Sequence, residues 1–304
     1  MDNPEVGDPL GAAQPFGGDW TLQKLEALEK YLVAFTRIFA SNRSAQYFKT
    51  LYIDGFAGTG AFTPKSLSDR EARGLIDGSA RRALKLEHPF DKYAFIDKDQ
   101  GKLLQLERFV REDTGLLSRT HFIPGDANTE ILQLVVSTDW SRTRAVAFLD
   151  PFGMQVNWRT IQELGATRGV DLWLLFPIGV GVQRNLARDA LPSDWLKQRF
   201  VEFVGCEVPT EWYQPAPQQG LFDVAERVEK IVTWPTIADL VLCQLALAFP
   251  RVSPWHLVLR NSVNAPLYLL LFAAANPDTP GGTAIKIATD VMKSMGDAAR
   301  SASQ

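Results

Sequence analysis

The residues with the clearest chemical potential lie in "LYIDGFAGTGAF", Leu51 to Phe62, where Gly55, Gly58 and Gly60 directly follow an apolar run and a carboxylate, Asp54. A Gly-rich turn after a strand can be a plain tight connection, or it can cradle a phosphate, a nucleotide or a sulfonium cofactor. A phosphate loop needs Gly-Lys-Ser or Gly-Lys-Thr opening a helix, but Ala61 and Phe62 follow Gly60. A dinucleotide fold needs G-x-G-x-x-G running straight into a helix. Here the order is G-x-x-G-x-G, and the next helix is expected only from about Ser79. A methionine-type sulfonium cofactor asks instead for a bare backbone turn beside its amino-acid part, a carboxylate for the ribose hydroxyls and another near the adenine amine. Asp54, Asp97 and Asp126 stand where those requirements place them.

Each of these residues also has a plainer use. Asp97, or its competitor Asp99, suits the N-cap of the following helix. "GDAN" fits a turn in which Asp126 or Asn128 caps a helix, which is compatible with cofactor contact through neighbouring backbone amides. His88, His121 and His256 form no ligand spacing, and Cys206 and Cys243 lie far apart without a C-x-x-C, so no metal site is expected.

The elements that must position these carboxylates are short apolar runs. "FKTLYID", "DKYAFID", "THFIPGD" and "RAVAFLD" read as strands closing on Asp54, Asp97, Asp126 and Asp150, and "VDLWLLFPIG" as a fifth. Helices are expected over 21–40, 79–87, 101–111, 128–136 and 158–166. The first is marked by Leu22, Leu25, Leu28, Leu32, Phe35 and Phe39 at spacings of three and four. Uniformly apolar strands alternating with helices indicate a parallel sheet covered on both faces, with ligands at the carboxyl ends of its strands. "PWHLVLRN" and "PLYLLLFAAAN" should add an antiparallel hairpin, giving a mostly parallel seven-stranded α/β sheet, and "GGTAIKIATDVMKSM" a terminal helix. Residues 1–19, acidic and rich in Gly and Pro, read as a flexible lead-in to one domain over 20–304. A helical and irregular insertion is expected at about 182–249.

Composition narrows the function classes. At 304 residues and 46% hydrophobic the chain can bury a large core, and a net charge of −3 argues against bulk electrostatic binding of nucleic acid while leaving room for a local basic face. The N-terminus lacks the basic and apolar regions of a signal peptide, and no apolar run approaches the ~20 residues of a membrane helix. A cytoplasmic protein without a membrane partner is expected. There is no internal repeat or low-complexity tract.

Taken in order, "YIDGFAGTG", "DGSA", "FIDKD", "GDAN", "FLDPFG" and "DLWLLFPIG" resemble the three-Cys-motif partner family. Its members are similar to class I S-adenosylmethionine-dependent methyltransferases of Rossmann-like fold. The similarity runs from about Trp20 to Ala275, and the family's name refers to a neighbouring Cys-motif protein that resembles radical-SAM enzymes. The resemblance implies S-adenosylmethionine as cofactor. It assigns Asp54, Gly55, Gly58 and Gly60 to the first cofactor loop, Asp97 to the ribose, and Asp126 with Ala127 to the adenine. Asp150, Pro151, Phe152 and Gly153 then occupy the catalytic tetrapeptide. "DPFG" departs from the commoner Asp-Pro-Pro-Tyr and is similar to the form in tRNA guanosine N2-dimethyltransferases. It implies an amine of a nucleic-acid base, RNA favoured, as acceptor.

A base amine is a weak nucleophile, so Asp150 and the Pro151 carbonyl would accept its hydrogen bonds. Phe152 would either stack on a flat substrate or lie buried beside the strand end. The 61–78 stretch reads as an exposed loop near the site mouth. Arg184 and Arg188 either reach an anionic substrate or form a solvated face, and Trp195, Trp212, Trp234 and Trp255 read as core. The competing function is that of a cofactor-binding or cofactor-free partner subunit of the Cys-motif protein.

Overall fold

The computed structural model describes residues 19–62, 76–111, 113–216 and 228–301. A long helix α1 (Asp19–Ser41) leads into β1 (Lys49–Asp54), the short strands β2 (Ala61–Phe62) and β3 (Ile76–Asp77), and α2 (Ser79–Leu84). Then follow β4 (Lys92–Asp97), α3 (Gln100–Val110), α4 (Thr114–Leu117), β5 (Thr120–Pro124), α5 (Ala127–Ser137), β6 (Thr143–Leu149), α6 (Trp158–Ala166) and β7 (Val170–Phe176). A π-helical turn, Ile178–Gln183, precedes α7 (Asp194–Val204), β8 (Tyr213–Pro215), β9 (Val228–Lys230) and α8 (Trp234–Ala248). The chain closes with β10 (Arg251–Val252), β11 (Leu257–Arg260), β12 (Pro266–Ala274) and α9 (Thr279–Ser301).

The main sheet runs β10-β12-β7-β6-β1-β4-β5, with β11 also on β12. The β7-β6-β1-β4-β5 block is parallel, whereas β12 is antiparallel to β7, β10 and β11. One antiparallel strand inserted beside an otherwise parallel doubly wound sheet is the Rossmann-like methyltransferase fold. The sheet has eight strands rather than the seven expected, because the sixth position is split: β10 pairs with Ala273 and Ala274, and β11 with Pro266 to Leu270. The interruption lies at Ser253, whose hydroxyl donates to the Trp255 carbonyl at 2.8 Å and so turns the chain out of the ladder.

Alternate residues of each strand feed two cores. Leu51, Ile53, Ala147, Leu149, Leu172 and Leu174 face α5, α6, α7 and α8. Tyr52, Tyr93, Phe95, Phe148, Trp173 and Phe272 face α1, α2, α3 and α9. Full burial of one such aromatic contributes roughly 1.5–3 kcal/mol. Leu25, Leu28, Leu32 and Phe35 form the buried stripe of α1. The π-turn, α7, β8, β9 and α8 fill most of the stretch expected as an insertion. Of these, α7 packs Leu196, Phe200 and Phe203, and α8 packs Ile237, Val241 and Leu245, into the same core as the central strands. Much of the 61–78 loop lies outside the described residues, but its ends pair as β2 and β3. Trp212 is core as expected, whereas Trp195 and Trp255 are exposed.

Candidate functional site

The chain starts in mid-sheet at β1, winds outward through β4 and β5, then returns to the other side of β1 as β6. The switch point therefore lies between β1 and β6, and crevices there hold ligands at the carboxyl ends of the strands. The loop after β1 fills that edge. The Gly55 amide donates to the Phe148 carbonyl at 3.0 Å and the Ala57 amide to Ile96 at 3.0 Å, so the turn is stitched to both neighbours of β1. Gly60 has φ +71°, and a Cβ there would stand 2.6 Å from Leu106 Cδ1, so the position tolerates glycine alone without rearrangement.

Asp97 closes β4. Its Oδ2 accepts the Gly58 amide at 2.9 Å and its Oδ1 the Asp99 amide at 2.8 Å. The cap of α3 is Asp99, which accepts from the Lys102 amide at 3.2 Å. Asp97 is thus a loop-edge carboxylate, half-buried and tied to the glycine turn. Asp126 lies beyond β5, which ends at Pro124, and N-caps α5 by accepting from Asn128 and Thr129 at 3.0 and 3.2 Å. Burial pushes its carboxyl upward, but Lys98 at 2.9 Å and the two amides hold it below the usual range. Asn128 is not a cap: its side chain donates to the Gln155 carbonyl and accepts from the Asn157 amide and the Thr160 hydroxyl.

Gly55, Phe56, Asp97, Asp126, Ala127 and Phe152 line one cleft of about 190 Å³, together with Lys98, Asp99, Lys102, Gly125 and Gln155. A wider groove of about 870 Å³ lies at the opposite, amino edge of β1, β4 and β5. It is bounded by the strands and by Leu134 to Asp139 at the end of α5, away from the loops of the carboxyl edge. Asp54 does not line the cleft. It is 0% exposed, accepts from the Tyr52 hydroxyl and the Phe56 amide at 3.3 Å each, and braces the loop from beneath. Burial raises its carboxyl to about 7, with nearby Asp150 adding to the rise against the opposing hydrogen bonds.

Asp150 follows β6 directly and pairs with Lys24 of α1 through Oδ2. The ammonium group also lies over the Trp20 ring, 5.2 Å from its centroid, and Trp20 stacks on Tyr268 of β12 at 4.8 Å. The Tyr268 hydroxyl is pushed up to about 12 by burial and then by the charge of Asp150. Pro151 is buried, whereas Phe152 is 55% exposed, so its ring faces outward rather than packing beside the strand end. The tetrapeptide is pinned from behind. The Phe152 amide donates to Gln155 Oε1 at 3.1 Å, and Arg199 of α7 donates to the Met154 carbonyl. Lys230 of β9 donates to the Gln183 and Leu186 carbonyls at 3.1 and 2.7 Å, fixing the exit of the π-turn. Arg184 and Arg188 are exposed.

Lys24, Trp20 and Tyr268 are the partners that sequence reasoning missed. A signal was present: Thr21, Lys24, Leu28, Tyr31 and Phe35 fall on one stripe of α1, and a lysine within a buried stripe needs a carboxylate to meet.

No family model matches the sequence, and no curated protein matches it. Among solved structures, a Legionella pneumophila protein of the DUF519 family aligns with TM-score 0.46 at 11% identity, covering 89% of this chain and 92% of its own. A spermidine synthase in complex with a transition-state analogue gives 0.42 at 10%, covering 88% and 64%. A geranyl diphosphate methyltransferase in complex with its diphosphate and sinefungin gives 0.36 at 12%, covering 75% and 71%. No described helix is long and apolar enough to cross a membrane.

Proposed function

We propose that this protein transfers a methyl group from S-adenosylmethionine to an amine of a nucleic-acid base, with RNA the favoured polymer. The carrying observation is the pair of loop-edge carboxylates that flank the switch point: Asp97, tied to the glycine turn, and Asp150, at the mouth of β6. The donor set suits the cofactor. Asp97 offers lone pairs to ribose hydroxyls, and the first turn of α5 at Ala127 offers backbone amides to adenine beside the Asp126 cap. The cleft is smaller than the ~300 Å³ at which ligand pockets usually begin. Its lining runs from Asp97, Asp126 and Ala127 to Gly55, so in this reading the nucleoside end lies on the carboxylate side and the amino-acid end points toward the Gly55–Gly58 turn.

When bound, the cofactor supplies an electrophilic methyl on a sulfonium: the acceptor nitrogen's lone pair forms the N–C bond, the C–S bond breaks, and its electron pair stays on sulfur. The protein's part is to aim the nitrogen. Asp150 Oδ1 accepts an amine N–H, which orients the lone pair, and the proton released after transfer passes to that carboxylate or to water. Phe152 lines the cleft and is 55% exposed, which places an aromatic residue where an unstacked base would lie. Association with a Cys-motif, radical-SAM-like protein is proposed on the family resemblance.

Calorimetric titration with S-adenosylhomocysteine, followed by incubation of labelled S-adenosylmethionine with total RNA, DNA and protein, tests the reading. Saturable binding and label in RNA are expected. Absence of binding at millimolar ligand, or label confined to protein, would overturn it.

A further inference from the structure

The pair at the end of β6 has unused hydrogen-bonding capacity on both sides. Lys24 Nζ carries three N–H groups, of which one goes to Asp150 Oδ2, while the Trp20 face meets the ammonium at 5.2 Å. Asp150 Oδ1 carries no hydrogen bond among the described residues, and its side chain is 25% exposed. One turn earlier on the same face of α1, Thr21 is buried and its hydroxyl has no hydrogen-bond partner among the described residues. Buried polar atoms are normally satisfied, so an open donor, an open hydroxyl and an open carboxylate oxygen together point to a ligand.

From this juxtaposition, and resting on the methyl-transfer reading above, we infer that Lys24 and Asp150 act as a donor–acceptor couple that reads an amine next to an unprotonated ring nitrogen. Asp150 Oδ1 accepts the amine N–H, and the Lys24 ammonium donates to the adjacent ring nitrogen. Adenine, cytosine and the N2/N3 edge of guanine carry that amidine pattern. Uracil does not, and an amine flanked only by ring N–H would leave the ammonium facing a donor. A phosphate group is a poor alternative partner: the Lys24 side chain is only 6% exposed, so a flat edge can reach it where a bulky hydrated anion cannot. Donation to the ring nitrogen draws density away from the amine. The couple therefore serves orientation and choice of acceptor rather than nucleophilicity, and Lys24 is a specificity residue.

The test uses the full-length protein and short oligoribonucleotides containing adenine, cytosine or guanine, each beside its analogue with CH in place of the ring nitrogen (1-deazaadenine, 3-deazacytosine, 3-deazaguanine). For the base that accepts methyl, the deaza analogue should lower kcat/KM about ten- to a hundredfold, since it leaves a buried charged donor unpaired. Lys24→Met should lose a similar factor on the natural base and little more on the analogue. Wild-type turnover that is indifferent to the deaza change, or equal losses by Lys24→Met on both substrates, would overturn the inference while leaving methyl transfer intact. The wild-type comparison stands even if the variant folds poorly, and S-adenosylhomocysteine binding by Lys24→Met reports its folded state. Normal cofactor binding with no transfer to any base would overturn both this inference and the acceptor assignment above.

Discussion

Helix α1 touches a carboxylate at each edge of the sheet, and the two contacts differ in kind. At the carboxyl edge Lys24 meets Asp150 in an ion pair whose carboxylate side is a quarter exposed. Seven residues on, about 10 Å along the helix, Tyr31 donates its hydroxyl to Asp171 of β7 at 2.6 Å. The Asp171 carboxyl is enclosed although the residue as a whole is only half-buried, and burial raises it to about 7 against the Tyr31 hydrogen bond and the charge of Arg144. One helix face thus supplies a cation to the partly exposed carboxylate and a neutral hydroxyl to the one enclosed in the core. A buried aspartate alone marks neither place as functional. On the proposed function, what sets Asp150 apart is its cationic partner and an Oδ1 without a hydrogen bond among the described residues.

The sharpest way to break this contrast is to neutralise each carboxylate in turn. Asp150→Asn should lower turnover about 10²–10⁴-fold, the usual range for a group positioning a proton at the reacting atom, with S-adenosylhomocysteine affinity nearly unchanged. A variant that keeps its rate but loses cofactor would reverse the roles of Asp150 and Asp97. Asp171→Asn should leave turnover alone and change the pH dependence of stability. With a folded value near 7 and an ordinary unfolded value, Asp171 holds a proton in the native state that the unfolded chain releases. The stability this group contributes therefore falls as pH rises from about 4 to about 7, by about 4 kcal/mol. Asp54, also near 7, contributes in the same direction. Urea unfolding across that window should show a shallower decline for Asp171→Asn. An unchanged slope would mean the carboxyl is already ionised in the fold.

How much of this was legible in the sequence follows from what each residue answers to. The strand ends at Asp54, Asp97 and Asp150 were readable because an apolar run closed by a carboxylate is a local pattern, and the order of the runs dictates the parallel block. Splitting of the sixth strand was not readable, since Ser253 is also held by partners far off in sequence: its amide donates to the Phe272 carbonyl of β12 at 3.0 Å and its hydroxyl meets that of Thr289 of α9 at 2.8 Å. Asp54 carries the right residue type at the right place yet faces inward, because β1's alternation puts it beneath the loop with Tyr52 and Phe56 as partners. The Lys24–Asp150 pair spans 126 positions and is invisible to any motif window.

Asp97 and Asp126 make the finer comparison, since both lie in the same cleft and both are engaged by backbone amides. Asp97 is held by the Gly58 and Asp99 amides of two different loops, which fixes its position without using all four of its lone-pair directions. Replacing it with alanine should weaken S-adenosylhomocysteine about ten- to a hundredfold, the loss expected for hydrogen bonds to a charged group. Asp126 spends one oxygen on the α5 cap and the other on Lys98. Asp126→Ala should therefore cost stability by about 0.5–2 kcal/mol, the value of an N-cap, and shift cofactor affinity less than Asp97→Ala does. If instead calorimetry shows Asp126→Ala losing more affinity than Asp97→Ala, the carboxylate rather than the Ala127 turn meets the adenine. Lys98 would then be its gate, because a ligand amine could reach Asp126 only by displacing that ammonium.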